Sequence, residues 1–310
     1  FEKIGELRNL NSLELKFDMW PSGLDCFLQK IETFPLSKFC LDSAIIDDSQ
    51  LGGIKKLLSH LGNLEFLKLR ISKGSAFQSK GYVKGIMEKI VSLRMLKALK
   101  VEFTVPGLMQ TMQHFEEEEL DEAFITPLKS LFFKANKLQK FSLSCNQVNA
   151  QKVFMNIIAS AGRIAMRLKK FHLNVGTFTP TDTDLRQITN FTEGLVNIET
   201  LKYSSICGVM SQPVQHFLSA VQGLRYLKEF EIYELQGSLN KKAFISTIEK
   251  LLSKRGLERF DCSLTWDAKE AADIRRVKGY QIDPKKILEK NPYLRSCPES
   301  HIIFLYYNDD

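Results

Sequence analysis

Residues 138–148 read LQKFSLSCNQV, and the spacing of their apolar side chains governs how the rest of the chain is read. Leu138 is followed after two residues by Phe141 and after one more by Leu143, with Asn146 and Val148 completing the frame. Apolar residues two apart suit a short strand with one buried face, because successive side chains point to opposite sides. The frame recurs as LRNLNSLELKF, FPLSKFCLDSAI, LGNLEFLKLRI and LRMLKALKVEF before this stretch, and as MRLKKFHLNV, LVNIETLKYS, LRYLKEFEIY and RGLERFDCSL after it. Aligned on the first residue of the apolar pair, it places Leu13, Phe39, Leu67, Leu99, Phe141, Phe171, Leu201, Phe230 and Phe260 in one register. The intervals are 26, 28, 32, 42, 30, 30, 29 and 30 residues.

Between these strands lie segments such as DDSQLGGIKKLLSHLGNL, QKVFMNIIASAGRI and QPVQHFLSAVQGLRYL, whose apolar residues recur three and four apart as on one face of a helix. Gly62, Gly194, Gly223 and Gly256 fall where the helical pattern stops and are expected to close helices in the left-handed conformation. Asp47 or Asp48, Asp182, Ser211 and Asn240 are the expected N-caps, and Pro213 suits a first helical turn.

Strand, turn, helix and turn at this period resemble the leucine-rich repeat proteins, specifically their long, ribonuclease-inhibitor-like class. The match L-x-x-L-x-L-x-x-N-x-L at 138–148 is the fullest, and the resemblance runs from Leu7 to Thr265 as about nine repeats of 26–32 residues. It implies an α/β solenoid, a curved horseshoe with parallel strands on the concave face and helices on the convex face. The solenoid is expected over 1–266. Residues 267–310 are expected to form a C-terminal cap whose last piece, HIIFLYYN, is a strand. One departure stands out. The position after the strand that usually holds Asn or Cys carries Asp18, Ala44, Ser72, Thr104, Asn146, Gly176, Ile206, Leu235 and Thr265, so an asparagine ladder is nearly missing.

The single long interval, 42 residues, exceeds its neighbours by about the length of QHFEEEELDEAF, residues 113–124. That acidic run is therefore an insertion in a connecting loop, and a solvated acidic loop is its expected state. Four consecutive Glu cannot converge on one point from a helix, and no turn glycine at Ca²⁺-loop spacing accompanies them. The chain begins inside a repeat without Met, so a segment upstream of Phe1, or a partner, is expected to cover Ile4, Leu7 and Leu10.

Lys and Arg number 43 against 36 Asp and Glu, a formal charge of +7. Six of the acids lie in the insertion, and against the other 30 the rest of the chain carries +13. Such a balance favours an acidic protein, nucleic acid or an anionic surface as partner. The six cysteines are scattered without a C-x-x-C pair, no apolar run reaches membrane-spanning length, and the N-terminus lacks a signal-peptide layout. An intracellular protein is expected on these grounds, cytoplasmic, nuclear or associated with cytoskeletal or ciliary structures. No H-E-x-x-H, G-x-G-x-x-G, P-loop or G-x-S-x-G motif occurs, so neither an enzyme nor a metal or cofactor site is expected.

Function is expected instead on the residues that flank the buried pair of each strand. In the third to seventh repeats these include Lys68, Arg70, Lys100, Lys140, Lys170, His172 and Lys202, with Glu102 the one acid among them. The eighth repeat, with Glu229 and Glu231, reverses the sign. Lysine predominates, and Phe66 and Tyr233 are the only aromatics, so an acidic protein partner within a larger complex is favoured over a base-stacking nucleic-acid binder. The expected role is a non-catalytic scaffold in a cytoskeletal, ciliary or ribonucleoprotein assembly. The alternatives are an accessory nucleic-acid binder, or a GTPase activator or ubiquitin-ligase substrate receptor of the leucine-rich repeat type.

Overall fold

The structure is a computed structural model that describes residues 9–18, 21, 23–45, 48–73, 82–104, 125–145, 149–209, 211–236, 241–254, 256–266 and 302–306. The chain divides into two compact units, Phe1–Ile164 and Ala165–Asp310. The first contains β1 (Ser12–Lys16), α1 (Leu24–Ile31), β2 (Lys38–Ile45), α2 (Asp48–His60), β3 (Phe66–Lys73), α3 (Tyr82–Val91), β4 (Ala98–Thr104), α4 (Thr126–Lys134), β5 (Lys140–Cys145) and α5 (Ala150–Ala161). The second contains β6 (Lys170–Asn174), α6 (Asp182–Glu193), β7 (Thr200–Val209), α7 (Gln212–Gly223), β8 (Glu229–Gln236), α8 (Lys241–Leu252), β9 (Arg259–Trp266) and β10 (Ile302–Tyr306). Within each unit every strand pairs in parallel with the next, giving the α/β architecture of leucine-rich repeats.

The register is the one the sequence alignment placed. Leu13 pairs with Phe39, Phe39 with Leu67, Leu67 with Leu99 and Leu99 with Phe141. In the second unit Phe171 pairs with Leu201, Leu201 with Phe230 and Phe230 with Phe260. A backbone ladder just ahead of each strand holds this register. The Ser37 carbonyl accepts from both Glu65 and Phe66 N–H at 2.8 and 2.9 Å, the Glu65 carbonyl from Lys97 and Ala98, and the Lys97 carbonyl from Gln139 and Lys140. Lys169, Glu199 and Lys228 repeat the device in the second unit. A one-residue slip would break these bonds and turn every buried side chain outward.

Each unit buries its inward strand residues against its own helices. Phe132 of α4 meets Phe141 of β5 edge-on at 5.0 Å. An aromatic line runs Phe171, Tyr203, Phe217, Phe230, Phe260 with successive ring centroids 5.9–6.3 Å apart. Each such side chain, fully buried, contributes about 1.5–3 kcal/mol. Tyr203 is wholly buried, and its hydroxyl meets Thr192 Oγ1 at 3.1 Å. Since Thr192 already donates to the Ile188 carbonyl at 2.7 Å, Tyr203 is the donor of that pair.

Helix ends depart from expectation in instructive ways. Gly256 is left-handed, φ 84°, as expected. Gly194 is not: at φ −71° its N–H bonds to the Asn190 and Phe191 carbonyls, so α6 ends by tightening its last turn. Gly223 lies inside α7, and Gly62 does not take positive φ. Thr181, rather than Asp182, caps α6. Its Oγ1 accepts from Asp184 N–H at 3.2 Å while Asp184 Oδ2 accepts from Thr181 N–H at 2.9 Å, because the reciprocal box needs an acid three residues on. Ser211 caps α7 and Pro213 occupies its first turn, as expected. Asp48 opens α2, whereas Asp47 and Asn240 lie outside the described residues.

The acidic insertion at 113–124 and residues 267–301 of the expected cap also lie outside the described residues. The expected final strand is present as β10, paired in parallel with Cys262–Trp266 of β9.

Candidate functional site

On the first unit's open sheet face, turned away from the helices, Lys68 of β3 and Lys100 of β4 are direct register partners. Lys140 of β5 pairs with Ala98, one row away. None of these three lysines forms an ion pair with a described residue. Like charges side by side on adjacent strands, whose spacing is about 4.8 Å, repel. Cys40 and Ala98 on the same face are only 4% and 7% exposed, since short side chains sink beneath long neighbours. Burial, with Glu14 nearby, pushes the Cys40 thiol above its ordinary range. Lys38 lies 5.4 Å from the centre of the Phe66 ring.

Arg70 stands differently from those lysines. Asp42 lies 3.7 Å from it on one side and Glu102 3.3 Å on the other. Exposed pairs of this kind stabilise by about 0–1 kcal/mol each. Their consequence is electrostatic, because two carboxylates cancel the field of one guanidinium.

The second unit carries Lys170, His172 and Lys202 on its open face, and His172 pairs in register with Lys202. Lys202 is also compensated, lying 3.2 Å from Glu231 and 3.8 Å from Glu229. Ser204 donates a short hydrogen bond to Glu231, and its oxygen lies 3.3 Å from His172 Nε2. Arg259 Nε holds Asp261 Oδ2 at 2.6 Å. Six basic side chains against one acid in the third to seventh repeats is thus a sequence count that neighbours alter: Asp42 from the second repeat and Glu229 and Glu231 from the eighth reach in. Among the third to fifth repeats, Lys68, Lys100 and Lys140 on the first unit's open face keep no ion pair with a described residue, while Glu14 of β1, whose carboxyl Lys16 and then Lys68 and Lys38 hold below its ordinary range, lies toward Lys68.

Burial alone would raise the Glu231 carboxyl, but the Ser204 hydroxyl, Lys202 and His172 together hold it below the ordinary 4.5. A lowered folded-state value means a stabilisation fully present above about pH 4.5 and lost as pH falls through that lower value. The stability gap between the wild type and Glu231→Gln, followed by urea unfolding, is therefore expected to shrink steadily below pH 4.5.

Sequence reading missed a cleft on the helix side of the second unit. It encloses about 1040 Å³ between α6 and α7. Arg186, Thr189, Asn190 and Glu193 line it from α6, and His216, Ser219, Ala220 and Gly223 from α7. Val196, Arg225 and Tyr226 continue it beyond the helix ends. The signal was present in principle, since both sets recur at helical spacing. Nothing in a single helix's sequence, however, says how far its neighbour stands away.

Among the described residues, no group of three or more His, Cys, Asp or Glu is placed to hold a metal ion. The five described cysteines are free thiols, and no described helix is long and apolar enough to cross a membrane. No known protein family and no curated protein matches the sequence. The chain is similar to the crystal structure of an internalin from Listeria monocytogenes, at 14% identity over 84% of this chain and 82% of that one, with a TM-score of 0.34. A likeness that loose adds nothing to the fold, which rests on the strand register and its backbone ladder.

Proposed function

We propose that this chain is a non-catalytic protein-interaction scaffold that binds an acidic segment of a partner protein on the open sheet face of its first unit. The observation that carries this reading is the pair Lys68 and Lys100, adjacent in register and free of any ion pair with a described residue, with Lys140 beside them. Holding like charges together is unfavourable in the free protein, so an arriving carboxylate gains its own attraction and also relieves their repulsion. Lys170, His172 and Lys202 then have a secondary role, since carboxylates already attend Lys202. The intervals near 30 residues and the full α-helices of 8–13 residues support the ribonuclease-inhibitor-like class. The free thiols agree with an intracellular setting, and an assembly of cytoskeletal, ciliary or ribonucleoprotein type is the context we assign.

The test uses the full chain and a variant carrying Lys68→Gln, Lys100→Gln and Lys140→Gln, each titrated with a labelled Asp/Glu-rich decapeptide and with a labelled single-stranded oligonucleotide. The peptide is expected to bind the wild type in a salt-sensitive manner and to lose at least about tenfold in affinity on the variant. Equal peptide binding by both proteins sinks the proposal. If the oligonucleotide alone binds and is lost on the variant, the nucleic-acid reading replaces it.

A further inference from the structure

The cleft between α6 and α7 has no part in that reading. We propose that it is a second binding site, which takes a short extended peptide of a partner protein carrying an acidic residue and, about three residues away, a large apolar one.

Three observations lead there. The first is charge. Arg186, His216 and Arg225 face the cleft, neither arginine forms an ion pair with a described residue, and Glu193 is the only acid among its described lining residues. Guanidiniums receive carboxylates through two parallel hydrogen bonds, and Arg225 is already oriented by lying over the Tyr226 ring at 5.5 Å. The second is exposed apolar surface. Val196 and Tyr226, 45% and 50% exposed, stand at the end of the cleft where α6 and α7 finish. Arg186 and His216 lie in the first half of the two helices, away from that apolar end, which Arg225 and Glu193 share.

The third observation is shape together with free hydrogen-bonding capacity. Gln212 to Gly223 of α7 spans about 16 Å at 1.5 Å per residue, the length of roughly five residues of extended chain. Ser219, Ala220 and Gly223 make that wall low, while the Asn190 side chain has no described partner and suits a peptide's own amides. A carboxylate held by Arg186 stands about 10 Å, roughly three positions of extended chain, from the end of α6, beyond which Val196 and Tyr226 lie.

The experiment pans a phage-displayed random heptapeptide library on the full chain and measures the best synthetic peptide by fluorescence anisotropy. Binding is compared on the wild type, on Arg186→Glu, which inverts an exposed charge, and on Ala220→Tyr, which fills the cleft without changing charge. The Lys68, Lys100 and Lys140 triple variant is the control that separates this site from the sheet face. Enriched peptides are expected to pair an acid with a large apolar residue, to lose at least about tenfold on both cleft variants, and to bind the triple variant unchanged. No enrichment, enrichment of basic peptides, or loss on Arg186→Glu with Ala220→Tyr unaffected overturns the proposal; so does loss on the triple variant alone. Circular dichroism of each variant confirms that it is folded.

Discussion

Replacing Phe230 by Ala is expected to lower stability by about 3–5 kcal/mol, the range for emptying a large aromatic site in a closed core. Phe230 is 1% exposed, pairs in register with Leu201 and Phe260, and keeps its ring 6.3 Å from Phe217 and 5.9 Å from Phe260. The loss has two parts, the transfer of the ring to water and the gap left between two aromatic neighbours, Phe217 and Phe260, each of which forfeits contacts. Tilted aromatic pairs add about 0.5–1.5 kcal/mol beyond buried area. Repeats are stabilised by their neighbours, so the damage reaches the strand on either side. Urea unfolding of Phe230→Ala beside Tyr226→Ala makes the comparison. The exposed Tyr226 is expected to stay within about 0.5 kcal/mol of wild type. A loss below about 1.5 kcal/mol at Phe230 would mean that the aromatic line is not the core of the second unit.

Ser205→Ala is the next largest expected effect, about 1–3 kcal/mol, from a change of one oxygen atom. Ser205 is completely buried in β7, and its Oγ accepts the N–H of Val175 at 2.7 Å. Alanine there leaves a buried donor with no acceptor, which costs more than an average hydrogen bond is worth. The same serine's carbonyl takes the Phe178 N–H at 2.9 Å, and Phe178 in turn accepts from Cys207. Ser205 follows Leu201 and Tyr203 on the buried face of β7 by ordinary alternation, and the register with β8 shifts at this level, between Tyr203 and Cys207. Ser204→Ala, one residue away on the open face, loses only a half-buried contact to Glu231 and His172 and is the paired control. Denaturant midpoints that move equally for the two would remove Ser205 from this role.

That serine also shows where sequence reading stops. Counting along the repeat placed Ile206 at the position of the missing asparagine, an apolar residue unable to tie one turn to the next. The tie comes instead from its neighbour Ser205, which the period of two puts on the buried face, and only the tertiary structure brings its hydroxyl to the Val175 N–H just after β6. Thr181 tells a similar story on a smaller scale. Asp182 and Thr181 are both fair N-caps by composition, and only the reciprocal bond with Asp184 selects one of them.

By itself the sequence determined the period, the inward-facing residue of every strand from Leu13 to Phe260, and the helical nature of what lies between. Those features follow from spacing along one chain, and the burial they demand leaves one register that hides all the apolar residues together. Only the tertiary structure decided which charges count. Asp42 and Glu102 close on Arg70 from strands on either side, and Glu229 and Glu231 close on Lys202, while Lys68 and Lys100 face one another with no acid between. Likewise the α6/α7 cleft depends on how far two helices stand apart. Both outcomes are set by side chains about thirty residues apart in sequence, reaching across neighbouring strands and helices. The pattern of one repeat fixes where a side chain starts but not what it meets.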